Sequence, residues 1–529
     1  MEVIVRSFKN LRSETNGPYR FSAIDIAGVL LLLAYFLHFA LPALSGGFNV
    51  DEMTNLYVHW RLGMLKSLWA NVCFWKGTGR PAGALYYLPL YHLFGLNPLP
   101  YRVVQIGILA ASIPMVYYLA SLLFSSRSIT FLGVLAFCYH AQLANLVFIG
   151  SFIYDVLCGF FYFAAITYYV HIREKGCALR PVQVGVFLAL YVCALNAKEM
   201  AVTLPGIALA YEALRCRPFD QWKQFVLHNC RFAIPALLAG LLTVPYIYGK
   251  TMSSTALATL YPYRPRYSWH HFVTANAQFV NQLLYLYHVL YPKGLLVVLP
   301  KALLVLWALV FIYAYIRRER GLQLMACWVV ITPLPLAFIP PRGGACLYLV
   351  LFGWAMIFGH VATDVIVLTS KLLEEAFTAT AGRKVSGASL LKFRVAATIL
   401  VAAALAIFTQ WENQRFDRIA GLLSVGQRTS HVIQAFRSLD LYPASGSTIL
   451  LTPENRFYQN GYYPAFVASL IWNDHSLSIY VDGQADAPVA SIGPLGFASA
   501  TLTAEQIAAM DYIISFDEFR ATLIRAPGL

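Results

Sequence analysis

The chain has 529 residues, 59% of them hydrophobic and only 12% charged, with a mean hydropathy of +0.60. That balance excludes a soluble globular protein of this length, because most of its apolar side chains must sit in lipid. The formal net charge of +14 does not indicate nucleic acid, since the basic residues fall in loops between apolar runs and form no patch with interleaved aromatics.

Apolar runs recur along the chain near the length a helix needs to cross roughly 30 Å of hydrocarbon. They predict about eleven transmembrane helices, at 23–45, 102–124, 129–149, 152–171, 183–200, 201–214, 232–249, 295–316, 322–340, 346–369 and 395–411. The fifth and sixth form one apolar stretch broken at Asn196, Lys198, Glu199 and Pro205, which reads as a tight re-entry at the membrane surface. Arg6, Lys9, Arg12 and Arg20 precede the first span with no small-residue cleavage motif behind it, so that span reads as a signal anchor. Lys and Arg bias in the short loops, including Lys371 to Arg394, predicts a cytoplasmic N-terminus. An odd span count then exports everything after Trp411.

The first outside loop, 46–101, opens with GGFNVDEMTNLYVHW and continues with an apolar, positively charged stretch, expected to lie on the membrane surface as helices. The other long outside loop, 250–294, keeps Phe272, Phe279, Leu283, Leu286 and Leu290 at helical spacing. The sequence therefore divides into a membrane domain, 1–411, and a polar exported domain, 412–529. In the latter, Ser447–Leu451, Ser476–Val481 and Tyr512–Phe516 read as strands, and 420–439 and 504–510 as helices. The exported tail has none of the nine cysteines, so no disulfide framework is expected there.

An ionisable side chain at membrane depth costs about 2.5–3.5 kcal/mol and calls for a partner, water or a function. Asp51 and Glu52 follow the first span; Asp155 opens the fourth; Lys198 and Glu199 close the fifth; Arg342 stands between the ninth and tenth. The expected topology places them all on one outer face. Asp51-Glu52 reads either as a helix cap and first-turn acid, or as a carboxylate that takes a proton from a hydroxyl or holds a metal. Asp155 has no basic sequence neighbour to pair with it, which favours a site role. Lys198 and Glu199 either neutralise each other or snorkel outward, or they help to bind a donor phosphate. Arg342, between two prolines and two glycines, brings a guanidinium and backbone amides within reach of an anion. Histidines 59, 92, 270, 271 and 288 show no metal-ligand spacing and read as surface or interface residues. No GxxxxGK[ST], GxGxxG or GxSxG motif appears.

Over about residues 20–370 the chain resembles the GT-C superfamily of membrane glycosyltransferases, especially the protein O-mannosyltransferases and the lipid A aminoarabinose transferase group. Four pieces carry the resemblance in order: Asp51-Glu52 after the first span, GRPAGALYYLPLYHLFGLNPLPYR at 79–102, KEMAVTLP at 198–205 and PPRGGACLYLVLFGW at 340–354. It implies an all-α polytopic membrane domain with a small extracytoplasmic α/β domain, and inverting transfer of a sugar from a polyprenyl-phosphate carrier to a hydroxyl on the outer face. By position, it assigns Asp51, Glu52 and Asp155 to the catalytic acids, and Arg342, Lys198 and Tyr348 to the donor phosphate. Arg80 and Glu199, in the second and third of these pieces, join them as further candidates. A divalent metal on Asp51, Glu52 and Asp155 is left open. The expected partners are the lipid-linked donor, membrane lipid and an unidentified acceptor, with no nucleic acid; the expected setting is a bacterial inner membrane. The competing reading is a transporter or flippase of lipid-linked glycans, against which stand the collection of charges on one face and the lack of an internal repeat.

Overall fold

The computed structural model describes residues 22–527 apart from 76–78, 217–221, 225, 227–228, 253–262, 287–299, 341, 382–385, 416, 455–462, 483–488, 494–495 and 501. The basic N-terminal residues Arg6 to Arg20, and much of the long outside loop at 250–294 with His288, lie outside the described residues.

The chain is a polytopic helical membrane protein followed by a small α/β unit. Eight described segments are long and apolar enough to cross a membrane: Ala23–Ser45, Pro98–Leu123, Gly150–Glu174, Cys230–Met252, Pro300–Arg317, Arg320–Ala337, Gly344–Thr380 and Gly387–Arg415. The three other expected spans are shorter helices. The 129–149 run gives a long helix only over Arg127–Cys138, because the backbone turns extended at Tyr139 and His140 and continues as a 3-10 turn and a four-residue helix, Asn145–Phe148. The apolar stretch of the fifth and sixth spans gives Pro181–Ala197 and Leu204–Cys216, parted at Lys198 by an extended residue and a 3-10 turn.

In chain order the helices used below are α1 (Ala23–Ala40), α2 (Val50–Val72), α3 (Ala84–Phe94), α4 (Pro98–Leu123), α5 (Arg127–Cys138), α6 (Ile153–Glu174), α7 (Pro181–Ala197), α8 (Leu204–Cys216), α9 (Cys230–Met252), α10 (Trp269–Leu283), α11 (Pro300–Arg317), α12 (Arg320–Ile331), α13 (Tyr348–Ala381), α14 (Gly387–Arg415) and α15 (Arg418–Arg437). α2 and α3 are the helices expected in the first outside loop. α2 breaks its helical backbone at Gly63, and beyond the break Leu65, Trp69 and Val72 are exposed. That exposed apolar face suits the membrane surface.

After α15, strand β1 (Thr448–Pro453) leads through α16 (Tyr463–Trp472) to β2 (Ser478–Val481), β3 (Val489–Gly493) and β4 (Gly496–Ala500). α17 (Ala504–Ala508), β5 (Tyr512–Phe516) and β6 (Ala521–Arg525) complete the unit. The sheet order is β4-β3-β2-β1-β5-β6, with β1 parallel to both β2 and β5 and the outer pairings antiparallel. The alternating burial of β2 and β5 turns one face of each strand inward, whereas β1 between them has three successive buried residues, Ile449, Leu450 and Leu451.

Candidate functional site

The site is built where helix ends meet. Lys198 follows the last residue of α7, Asp155 sits in the first turn of α6, and Cys346 lies just ahead of α13, yet the three side chains touch. Consecutive helices thus run in opposite directions and bring these ends to one face.

The Lys198 ammonium binds both Asp155 carboxylate oxygens, at 2.5 and 2.6 Å, and lies 3.4 Å from the Cys346 sulfur. All three residues are buried. The partner that Asp155 lacked in sequence comes from 43 positions downstream. Lys198 and Glu199 do not neutralise each other. Lys198 is extended, so successive side chains diverge, and Glu199 instead receives Arg80 through Nε at 3.3 Å and Nη2 at 3.0 Å. Burial disfavours the Arg80 charge, but Glu199 beside it outweighs this and holds the guanidinium above its ordinary range. From the end of α9, buried Lys250 donates to the Gly79 carbonyl at 2.6 Å. Sequence reading missed this lysine because it ends an otherwise apolar span.

Arg342 lies over the Tyr263 ring at 4.0 Å, and Tyr263 in turn is within electrostatic reach of Arg80. The loop behind Arg342 is fixed by side chains. Gly344 adopts a positive φ of 61°, its amide donates to Gln282 Oε1 at 3.1 Å, and the Ala345 amide donates to Asn145 Oδ1 at 2.9 Å. These two amides therefore already have acceptors. Tyr348 does not stand beside Arg342: the first turn of α13 turns it into the bundle, where it stacks on Phe137 at 4.9 Å.

The acidic pair divides its roles. Asn49 caps α2 by accepting from the Glu52 amide at 2.7 Å, while Glu52 accepts from the Asn49 amide at 3.0 Å, a reciprocal capping box. The same carboxylate takes two bonds from Arg102, at 2.8 and 3.0 Å, with both side chains almost wholly buried. Removing one partner of such a pair leaves an uncompensated buried charge and costs about 3–5 kcal/mol. Glu52 thus holds α2 against α4. Asp51, one residue earlier, is exposed, and no side-chain hydrogen bond or ion pair joins it to the described residues.

His59 stands two turns beyond Glu52 on α2. It is buried, with Nε2 2.9 Å from the Tyr154 hydroxyl and Nδ1 without a hydrogen-bond partner. Burial pushes its pKa down to about 4, so it is neutral at ordinary pH. It is not the surface residue expected, because Tyr154 of α6 and the backbone of Gly83 close over it from distant parts of the chain.

These contacts also decide the fit to a metal. Glu52 is neutralised by Arg102 and Asp155 by Lys198, and no group of three His, Cys, Asp or Glu side chains among the described residues is placed to hold an ion. The donor set left open for a metal, Asp51, Glu52 and Asp155, does not fit one among the described residues.

No family model matches the chain, and no curated protein matches it. Among solved structures the chain is similar to ArnT from Cupriavidus metallidurans bound to undecaprenyl phosphate, at 14% identity over 87% of this chain and 86% of that one, with a TM-score of 0.45.

Proposed function

We propose that the chain is a glycosyltransferase that moves a sugar from a polyprenyl-phosphate carrier to a hydroxyl acceptor at the outer membrane face, with inversion. One observation carries the reading: among the described residues Lys198, Arg80, Lys250 and Arg342 come together around two acids, Asp155 paired with Lys198 and Glu199 paired with Arg80. A cluster of cations among helix ends suits a lipid phosphate, since charge-assisted contacts strengthen where water is scarce.

In this reading the carrier tail lies along the spans and its phosphate meets Arg342 and the cluster around Arg80. Asp51, the one acid of the three with no cation paired to it among the described residues, accepts the proton of the acceptor hydroxyl. The hydroxyl oxygen bonds to the anomeric carbon as that carbon's bond to the phosphate oxygen breaks, and the pair of electrons leaves on the lipid phosphate, whose charge the cations stabilise. A single displacement inverts the anomeric centre. Asp155 and Lys198 shape the cluster as a pair, Glu52 holds the helix that carries Asp51, and Tyr348 packs the bundle. The N-terminus is cytoplasmic, the α/β unit is extracytoplasmic, and the setting is a bacterial inner membrane.

The test is transfer of label from a polyprenyl-phosphate sugar to candidate hydroxyl acceptors by the purified chain in lipid. Label on an acceptor supports the reading. Donor carried between leaflets of a vesicle with no label transferred would replace the enzyme by a transporter.

A further inference from the structure

The α/β unit has no role in the chemistry above, yet it grips the segment that carries Asp51 and Glu52 at two places. The first lies just before the acids. Leu423, Gly426 and Ser430, one face of α15, lie over Gly46 and Gly47. A Cβ on Gly426 would come within 2.6 Å of the Gly47 carbonyl carbon and oxygen, and a Cβ on Gly47 would overlap the Gly426 carbonyl. Only glycine at both positions lets the backbones touch. The Gly47 carbonyl meanwhile accepts from Arg102, the partner of Glu52.

The second grip lies just after the acids. Trp60 of α2 stacks on His475 with ring centroids 3.7 Å apart and planes within 8°, and its indole N–H donates to Asn473 at 2.8 Å. Tyr57 stacks on Phe466 of α16, and the Tyr91 hydroxyl of α3 donates to the Leu470 carbonyl. Asn473 adopts a positive φ of 53° at the turn that makes these contacts.

We infer that α15 and the turn between α16 and β2 are a positioning element of the acidic site, fixing residues 46–61 from both sides so that Asp51 is held where the acceptor arrives. The contacts carry the clamp itself; its catalytic meaning rests on the glycosyltransferase reading. Gly426 and Trp60 are positioning residues, and neither need touch substrate.

The experiment compares Gly426→Ala with Gly421→Ala in the full chain in lipid nanodiscs. Gly421 lies on the same helix, is exposed and has nothing near its Cβ direction, so it receives the same chemical change without the contact. Gly426→Ala is expected to speed amide hydrogen exchange at 47–56 by about tenfold or more, as local opening becomes easier, and Gly421→Ala to leave it unchanged. Trp60→Phe, which keeps the ring but loses the bond to Asn473, is expected to speed exchange at 56–63 and serves if Gly426→Ala does not fold. In transfer, Gly426→Ala is expected to lower kcat with little change in KM for the donor. Wild-type exchange at 47–56 in a folded Gly426→Ala protein, or at 56–63 in Trp60→Phe, overturns the clamp. A lowered donor affinity with unchanged kcat overturns its positioning of the acid. Faster exchange in a chain that transfers no sugar leaves the clamp standing and removes the function reading alone.

Discussion

Replacing Lys198 by Met should destabilise the protein far more than replacing both members of its pair. In the native protein the ammonium lies 2.5 and 2.6 Å from the two oxygens of Asp155, and both side chains are less than a tenth exposed. Lys198→Met leaves the carboxylate buried with no cation in contact, a loss of about 3–5 kcal/mol. Asp155→Asn strands the ammonium and costs a similar amount, offset in part by the nearby Cys346 sulfur. In the double variant no charge is stranded, and a neutral amide beside a thioether recovers at least about 2 kcal/mol of the summed losses, a coupling of the size expected for groups in contact. The assay is equilibrium unfolding in mixed micelles for the four proteins of the cycle. A loss under about 1 kcal/mol for Lys198→Met, or additive losses in the double variant, would refute the pairing and with it the meeting of α6, α7 and α13 at one face.

Three further expectations follow from other parts of the site. Arg342→Ala should weaken donor binding by about tenfold to a hundredfold, the worth of a charge-assisted contact to phosphate, and Arg342→Lys by less because the charge remains; equal, near-normal affinity in a donor titration would remove Arg342 from the site. His59, with its pKa held down to about 4 by burial against an ordinary 6.5, binds protons more readily unfolded than folded between those values. Its contribution is intact above pH 6.5 and falls as pH drops, by about 2 kcal/mol at pH 5, so thermal unfolding against pH should show a slope that His59→Gln flattens; an unchanged slope would contradict the burial. A reporter fused after residue 420 should read extracytoplasmic, and a cytoplasmic signal would overturn the orientation.

The spans were legible because length and apolarity alone suffice for them, and the boundaries failed where a polar backbone break mattered more than composition, as at His140. Candidate charges were legible through their cost in lipid, but their partners were not. Arg80 and Glu199 are 119 positions apart and Arg102 and Glu52 are 50 apart, so no local pattern joins them. The neighbours Lys198 and Glu199 were misleading for the opposite reason, since an extended residue sends adjacent side chains apart. Tyr348 was named through the motif that it shares with Arg342, and the motif gives no sign that the first turn of α13 stacks its ring on Phe137. In the α/β unit the three central strands showed as β-branched and aromatic runs, whereas β3 and β4, in VASIGPLGFASA, are too rich in small residues to signal pairing.

The central claim is that Asp51 accepts the proton of the acceptor hydroxyl, and transfer by Asp51→Asn tests it most directly. Asp51 is exposed and Asn49, not Asp51, caps α2, so the variant should fold and bind donor normally while transfer falls by about 10²–10⁴-fold. Glu52→Gln, which disturbs the pair with Arg102, should instead lose stability. Near-wild-type transfer by a folded Asp51→Asn protein would contradict the account and place the base elsewhere.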